Sequence, residues 1–67
     1  MKKFQIILIN FKTEEVKMRN VVHSNFAAAA SKAYILAKTE FERTQCPWDI
    51  AAIYDMDYNF DAAKQLT

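Results

Sequence analysis

The chain has 67 residues, of which 52% are hydrophobic and 25% charged, and its formal net charge is +1. This composition excludes a disordered segment, and no apolar run approaches the roughly 20 residues of a membrane-spanning helix. The chain contains no glycine, which disfavours enzymes whose phosphate loops or nucleophile elbows need that residue. We therefore expect one soluble domain, residues 1–67, in the cytoplasm.

Two strands are predicted in the first third of the chain. Residues 3–11 include FQIILINF, which is apolar on both faces and is typical of a central strand. Residues 15–23 alternate like a half-exposed edge strand, with one face formed by Val16, Met18 and Val22 and the other by Lys17, Arg19, Val21 and His23. Without a glycine between them, we expect a hairpin loop longer than two residues.

An alanine-rich helix is predicted from Ser24 to about Thr44, where the Cys46-Pro47 pair stops it. Ser24 is the expected N-cap, with Asn25 as the competing choice. At about 100° per residue, the stripe predicted to face the sheet consists of Phe26, Ala30, Ala33, Ala37 and Phe41, flanked by Ala27 and Tyr34. Ile35 projects from the opposite, polar face, either as an isolated exposed hydrophobe or as a contact for another molecule.

The third strand is predicted from Trp48 to Tyr54, followed by the acidic, turn-like segment DMDYN. Asn59 could cap a short terminal helix, FDAAKQL. These elements predict an α+β fold of ββαβ order, with a three-stranded antiparallel sheet in the order 2-1-3 and one long helix on one face.

One helix covers only one face of such a sheet. The other face is expected to hold some of the residues Ile7, Ile9, Phe11, Val21 and Ile53 without a partner in the chain. Which parity of the first strand faces the helix is left open by the sequence. Because monomers rarely expose large apolar patches, we expect this face to bind a second copy, as a homodimer, or a different protein.

No cluster of residues carries recognisable catalytic or metal-binding chemistry, so we expect neither an enzyme nor a cofactor. His23 has no neighbouring ligand in sequence, and Cys46 lacks the cationic setting of a reactive thiol. The residues Asp55, Asp57 and Asn59 match the opening of a calcium loop, but Phe60 and Leu66 occupy the positions that require glycine and glutamate.

Charge is unevenly distributed: residues 1–39 carry a net +5 and residues 40–63 a net −5. Two binding hypotheses follow. The first is a protein-binding module whose candidate contact residues are Ile35, Trp48, Tyr54, Asp55, Asp57 and Tyr58. The second is nucleic-acid binding by a basic hairpin, through Lys2, Lys3, Phe11, Lys12, Lys17 and Arg19. The second ranks lower because dedicated nucleic-acid-binding domains are usually far more basic.

The element order, the lack of glycine and the pattern VVHSNFAAAASKAYILA followed by WDIAAIY resemble the small inhibitors that phages encode against their hosts. These include several anti-CRISPR proteins and a phage inhibitor of bacterial RNA polymerase. The resemblance rests on architecture and transfers no particular residues. It implies steric or charge-based blocking of a host nucleoprotein complex, such as a CRISPR effector, without turnover and in the host cytoplasm.

Overall fold

The computed structural model describes residues 1–57. It contains β1 (Lys2–Asn10), β2 (Val16–His23), α1 (Phe26–Thr44) and β3 (Trp48–Asp55). The strands form one antiparallel sheet in the order β2-β1-β3, and α1 packs on one face of it. The predicted α+β class, ββαβ order and strand order are confirmed. The predicted terminal helix FDAAKQL and its cap Asn59 lie outside the described residues.

β1 is the central strand because both of its faces are apolar. Phe4, Ile6 and Leu8 are at most 1% exposed and lie beneath α1, whereas Ile7 and Ile9 are half-buried on the opposite face. Full burial of each large apolar side chain stabilises the fold by roughly 1.5–3 kcal/mol. The even-numbered residues of β1 therefore form the core, which answers the parity question left open by the sequence.

The β1–β2 hairpin is closed by the buried side chain of Asn10, which is 2% exposed. Its Oδ1 accepts hydrogen bonds from the backbone N–H groups of Lys12 (2.9 Å) and Thr13 (3.3 Å). Its backbone carbonyl accepts from the N–H of Glu14 (2.7 Å), which has a φ of 62°. The connection, residues 11–15, is longer than two residues, as predicted.

The helix begins one residue later than expected, because Asn25 and not Ser24 is the N-cap. The Asn25 Oδ1 accepts a 2.9 Å hydrogen bond from the Ala28 N–H. This start places Phe26 at the first helical position, where its ring meets that of Phe4 edge-on at a centroid distance of 6.1 Å. At the other end, Gln45 adopts a φ of 57° and donates its N–H to the Phe41 carbonyl, so the helix ends ahead of Pro47.

The predicted sheet-facing stripe of α1 is wrong in phase. The buried residues are Ala29, Ala33, Ala37 and Glu40. Phe26, Tyr34 and Phe41, which were expected on or beside the stripe, are 54%, 69% and 48% exposed. The true buried face is rotated by roughly 45° from the predicted one, because Leu36 packs against the core and Glu40 turns toward β2.

A β-bulge interrupts β3. Ile7 pairs with Ala52 but the next residue, Leu8, pairs with Ile50, so Ala51 is an extra residue opposite β1. A bulge reverses the alternation of side chains beyond it. As a result Ile50 and Ile53, which differ in parity, both lie on the helix side of the sheet and pack against the core.

Candidate protein-binding face

The face of the sheet opposite α1 is uncovered within residues 1–57, and we call it the open face. Cross-strand partners lie side by side on one face of a sheet. The registers therefore place on the open face Val22 and Lys3, then Asn20, Gln5 and Tyr54, then Met18, Ile7 and Ala52, and finally Val16, Ile9 and Asp49.

The open face is largely apolar and accessible. Val16, Met18, Val22 and Tyr54 are 54%, 63%, 52% and 50% exposed. Val16 and Met18 lie directly beside the half-buried pair Ile9 and Ile7, whereas Tyr54 lies beside Gln5, and Val22 lies beside Lys3. Three strands of roughly eight residues give a face of about 14 Å by 26 Å, or ~370 Å². Apolar side chains cover only part of this area, because Lys3, Gln5, Asn20 and Asp49 share the face.

The expected membership of this face is corrected in two places. Ile7 and Ile9 lie on it as predicted, but Val21 and Ile53 lie on the helix side and pack against the core. Val21 is the register partner of Phe4, and the bulge carries Ile53 across. Phe11 lies past the end of β1 and is 62% exposed.

Sequence reasoning did not assign three exposed β2 residues, Val16, Met18 and Val22, to the open face. The signal that could have found them is the hairpin register. A connection of residues 11–15 sets Ile9 opposite Val16 and Ile7 opposite Met18, so the apolar faces of the two strands must coincide.

Trp48, a predicted contact residue, is only 8% exposed and belongs to the core between α1 and the sheet. Its Nε1 donates a 2.8 Å hydrogen bond to Thr44 Oγ1. The Lys17 Nζ lies 5.6 Å from the centroid of its ring, within cation–π range. A partner therefore has no access to most of this side chain.

Glu40 is a buried carboxylate that ties α1 to β2. Its Oε2 accepts hydrogen bonds from Lys17 Nζ (3.1 Å) and from Arg43 Nη2 (2.6 Å) and Nε (3.0 Å). The Arg43 hydrogen bonds, and after them the Lys17 hydrogen bond, hold the pKa of Glu40 below its ordinary value, although burial opposes this shift. The carboxylate is thus held in its charged form, which suits a structural ion-pair network and not a proton-transfer role.

The acidic contact candidates Asp55 and Asp57 fasten the last described residues to the start of β1. Asp55 Oδ2 lies 3.4 Å from Lys2 Nζ, and its Oδ1 accepts from the Asp57 N–H at 3.0 Å. Asp57 Oδ2 in turn accepts from the Lys3 N–H at 3.0 Å. These contacts give both carboxylates a structural role.

The remaining contact candidates do not form one surface. Tyr54 lies on the open face, while Ile35 is 55% exposed on the outer side of α1, away from the sheet. Tyr58 lies outside the described residues. Of the predicted group, Tyr54 alone joins the apolar patch.

The basic residues of the nucleic-acid hypothesis are also divided. Lys2 and Lys3 begin β1, whereas Phe11 and Lys12 follow its other end, roughly 30 Å away. Lys17 forms an ion pair with Glu40. Arg19 lies on the helix side of β2, so no continuous basic track connects these side chains.

A second apolar feature lies between α1 and the edge of β3. It is an open groove of about 220 Å³, walled by Tyr34, Ala37, Lys38 and Phe41 on the helix and by Trp48, Asp49 and Ile50 on the strand. Phe41, which was predicted to face the sheet, and Tyr34, which was predicted to flank that stripe, are exposed and form part of the wall.

Residues 1–57 contain no group of three or more His, Cys, Asp or Glu side chains placed to hold a metal ion. No helix in this part of the chain is both long and apolar enough to span a membrane.

Comparisons of the chain with protein-family models, with curated proteins and with solved structures gave no match. Function is therefore inferred from the geometry of the open face.

Proposed function

We propose that this protein is a non-enzymatic protein-binding module whose contact surface is the open face. The observation that carries the proposal is that the exposed side chains of Val16, Met18, Val22 and Tyr54 share one uncovered sheet face with Ile7 and Ile9. Each of these residues leaves apolar surface in water that a second protein would cover, and such burial is the main favourable term in association.

The open face also has the layout of an interface. Its charged residues Lys3 and Asp49 lie at opposite ends, as the rim of an interface would place them, and the residues between them are uncharged, with Gln5 and Asn20 beside the apolar side chains. Tyr54 offers a large, rigid anchor of the kind enriched in binding hot spots. By contrast, Ile35 is an isolated exposed hydrophobe on α1.

Binding alone would be the activity of such a module. The resemblance to phage inhibitors would make the bound protein a large host complex, such as a CRISPR effector or another nucleoprotein assembly. A small domain seated on it would block access sterically without any reaction.

A pull-down from bacterial lysate with matched variants tests the contact surface. Met18→Glu places a charge on the open face, and Ile35→Glu places the same charge on the outer side of α1 at a similarly exposed position. We expect wild type and Ile35→Glu to retain the same bound protein and Met18→Glu to lose it. Loss with Ile35→Glu alone would move the contact to the helix.

The nucleic-acid alternative stays a prediction. Its test is binding to heparin or duplex DNA at low salt, with a steep fall in affinity as salt is added. Reversal of charge at Arg19, which is exposed, should then weaken binding to heparin or DNA. Met18→Glu, in contrast, tests the competing protein-binding hypothesis.

A further inference from the structure

We propose that the occupant of the open face is a second copy of this chain, with the two sheets packed face to face and the two β1 strands antiparallel. In this arrangement Lys3 of one copy pairs with the partner's Asp49, and the reciprocal pair forms by symmetry. This inference rests on the proposed function, because it takes the open face to be an interface, but it makes a second copy, and not a host complex, the occupant of that face.

The charges on the open face suggest this orientation. Lys3 lies at one end of β1, and Asp49 lies beside Ile9 near the other end, six residues or ~20 Å away. Within residues 1–57, neither side chain has an ion-pair partner. The Asp49 Oδ1 accepts the Ile50 N–H at 2.7 Å, and its other oxygen remains available for a cation.

Two limiting twofold arrangements can be compared. With the axis parallel to β1, each Lys3 would lie over the partner's Lys3, which is unfavourable because like charges repel. With the axis across the strands, Lys3 lies over the partner's Ile9 and next to the partner's Asp49. A C2 interface repeats each contact twice, so the second arrangement gains two ion pairs while the first gains a repulsion.

Side-chain size favours the same arrangement. With the axis across the strands, each β3 stacks on the partner's β3, and Tyr54 lies over the partner's Ala52. A large ring thus meets the smallest side chain of the open face, as interdigitated sheets require. The other arrangement sets Tyr54 over the partner's Asn20.

The area of the face sets the expected strength. Two faces of ~370 Å² each give about 740 Å² in total, less than the roughly 1,200 Å² at which stable specific interfaces begin, so the area is that of a weak, transient contact. We therefore expect a dimer that forms reversibly with concentration.

Sedimentation velocity from about 10 µM to 1 mM, with a charge-swap series, tests the proposal. Wild type should pass from monomer to dimer over this range. Lys3→Glu and Asp49→Lys should each weaken dimerisation about tenfold, and the double variant should restore it to within about threefold of wild type. Lys12→Glu and Glu42→Lys, which make the same charge changes at exposed sites away from the open face, should leave the dimer unchanged.

Circular dichroism of each variant separates loss of dimer from loss of fold. A wild-type protein that is folded and monomeric at 1 mM overturns the proposal. The proposal is also overturned if neither single charge reversal changes the dimerisation affinity, or if the double variant does not regain the affinity of wild type.

These outcomes are distinct from failure of the proposed function. If wild type is monomeric but Met18→Glu still abolishes capture of a different protein, the open face is an interface with another occupant. If Met18→Glu affects neither dimerisation nor capture, the proposed function itself is wrong.

Discussion

The Lys17 ammonium on β2 lies 3.1 Å from the Glu40 carboxylate on α1, while its Nζ also lies 5.6 Å from the centroid of the Trp48 ring on β3. One side chain therefore links the helix to both edge strands of the sheet. Lys17 was a candidate phosphate contact in the nucleic-acid hypothesis. Its position makes it part of the packing between helix and sheet.

Removing the charge of Glu40 should destabilise the fold. Glu40→Gln leaves the ammonium of Lys17 without a carboxylate partner at a site where Glu40 is 7% exposed. We expect a loss of about 1–3 kcal/mol in the free energy of unfolding, the usual cost of breaking a buried charged hydrogen bond. Urea denaturation measures it, with Glu42→Gln, an exposed neighbour on α1, expected to stay within about 0.5 kcal/mol of wild type.

The same carboxylate should make stability depend on acid. The Arg43 hydrogen bonds hold the pKa of Glu40 below its ordinary value of 4.5, so the folded state binds the proton less readily than the unfolded chain. Its stabilising contribution is complete above about pH 4.5 and is lost as pH falls through the lowered pKa. The difference in unfolding free energy between wild type and Glu40→Gln should therefore shrink below that pH. A difference that stays constant from pH 7 to 3 would contradict this prediction.

The end of α1 should be improved by a glycine. Gln45 adopts a φ of 57°, in the left-handed region where a side chain costs roughly 1–2 kcal/mol. Gln45→Gly should raise the free energy of unfolding by about 0.5–1 kcal/mol, after the greater entropy of glycine in the unfolded chain is deducted. Gln45→Ala is the matched control, since it loses the same side-chain hydrogen bond to Glu42 without relieving the backbone. Equal stability of the two variants would show that no strain is present.

A larger side chain in place of Ala33, at the contact between helix and sheet, should destabilise the fold. Ala33 is fully buried, and a larger side chain would push α1 away from β1. Ala33→Leu should cost about 1–3 kcal/mol by overpacking. Ala27→Leu introduces the same side chain at an exposed position of the same helix, so thermal denaturation of the pair isolates the effect of packing.

The sequence predicts the strand order well because the strands differ in how their apolar residues are distributed. β1 is apolar on both faces and had to be central, and the alternation of β2 suits an edge. Helical phase was harder to predict. Alanine gives little contrast around α1, so the large residues Phe26 and Phe41 dominated the pattern, whereas the buried face includes the charge of Glu40. Hydrophobic periodicity does not identify a carboxylate that is buried through its ion-pair partners.

The open face could be anticipated but not mapped from the sequence. That one helix leaves one sheet face uncovered follows from element count alone. Which residues lie there depends on the β1–β2 register and on the bulge at Ala51, which moved Ile53 to the helix side. Neither is visible in the alternation of a single strand.

The extra residue in β3 also bears on insertions and deletions in this chain. Deleting Ala51 would join Ile50 to Ala52 in an uninterrupted register, and every other side chain of the strand would keep its present face and its present partner on β1. Removing a residue elsewhere in β3 would instead reverse the faces of the side chains in part of the strand and expose core residues to solvent. Ala51 is thus the position where β3 can change length while the fold stays the same.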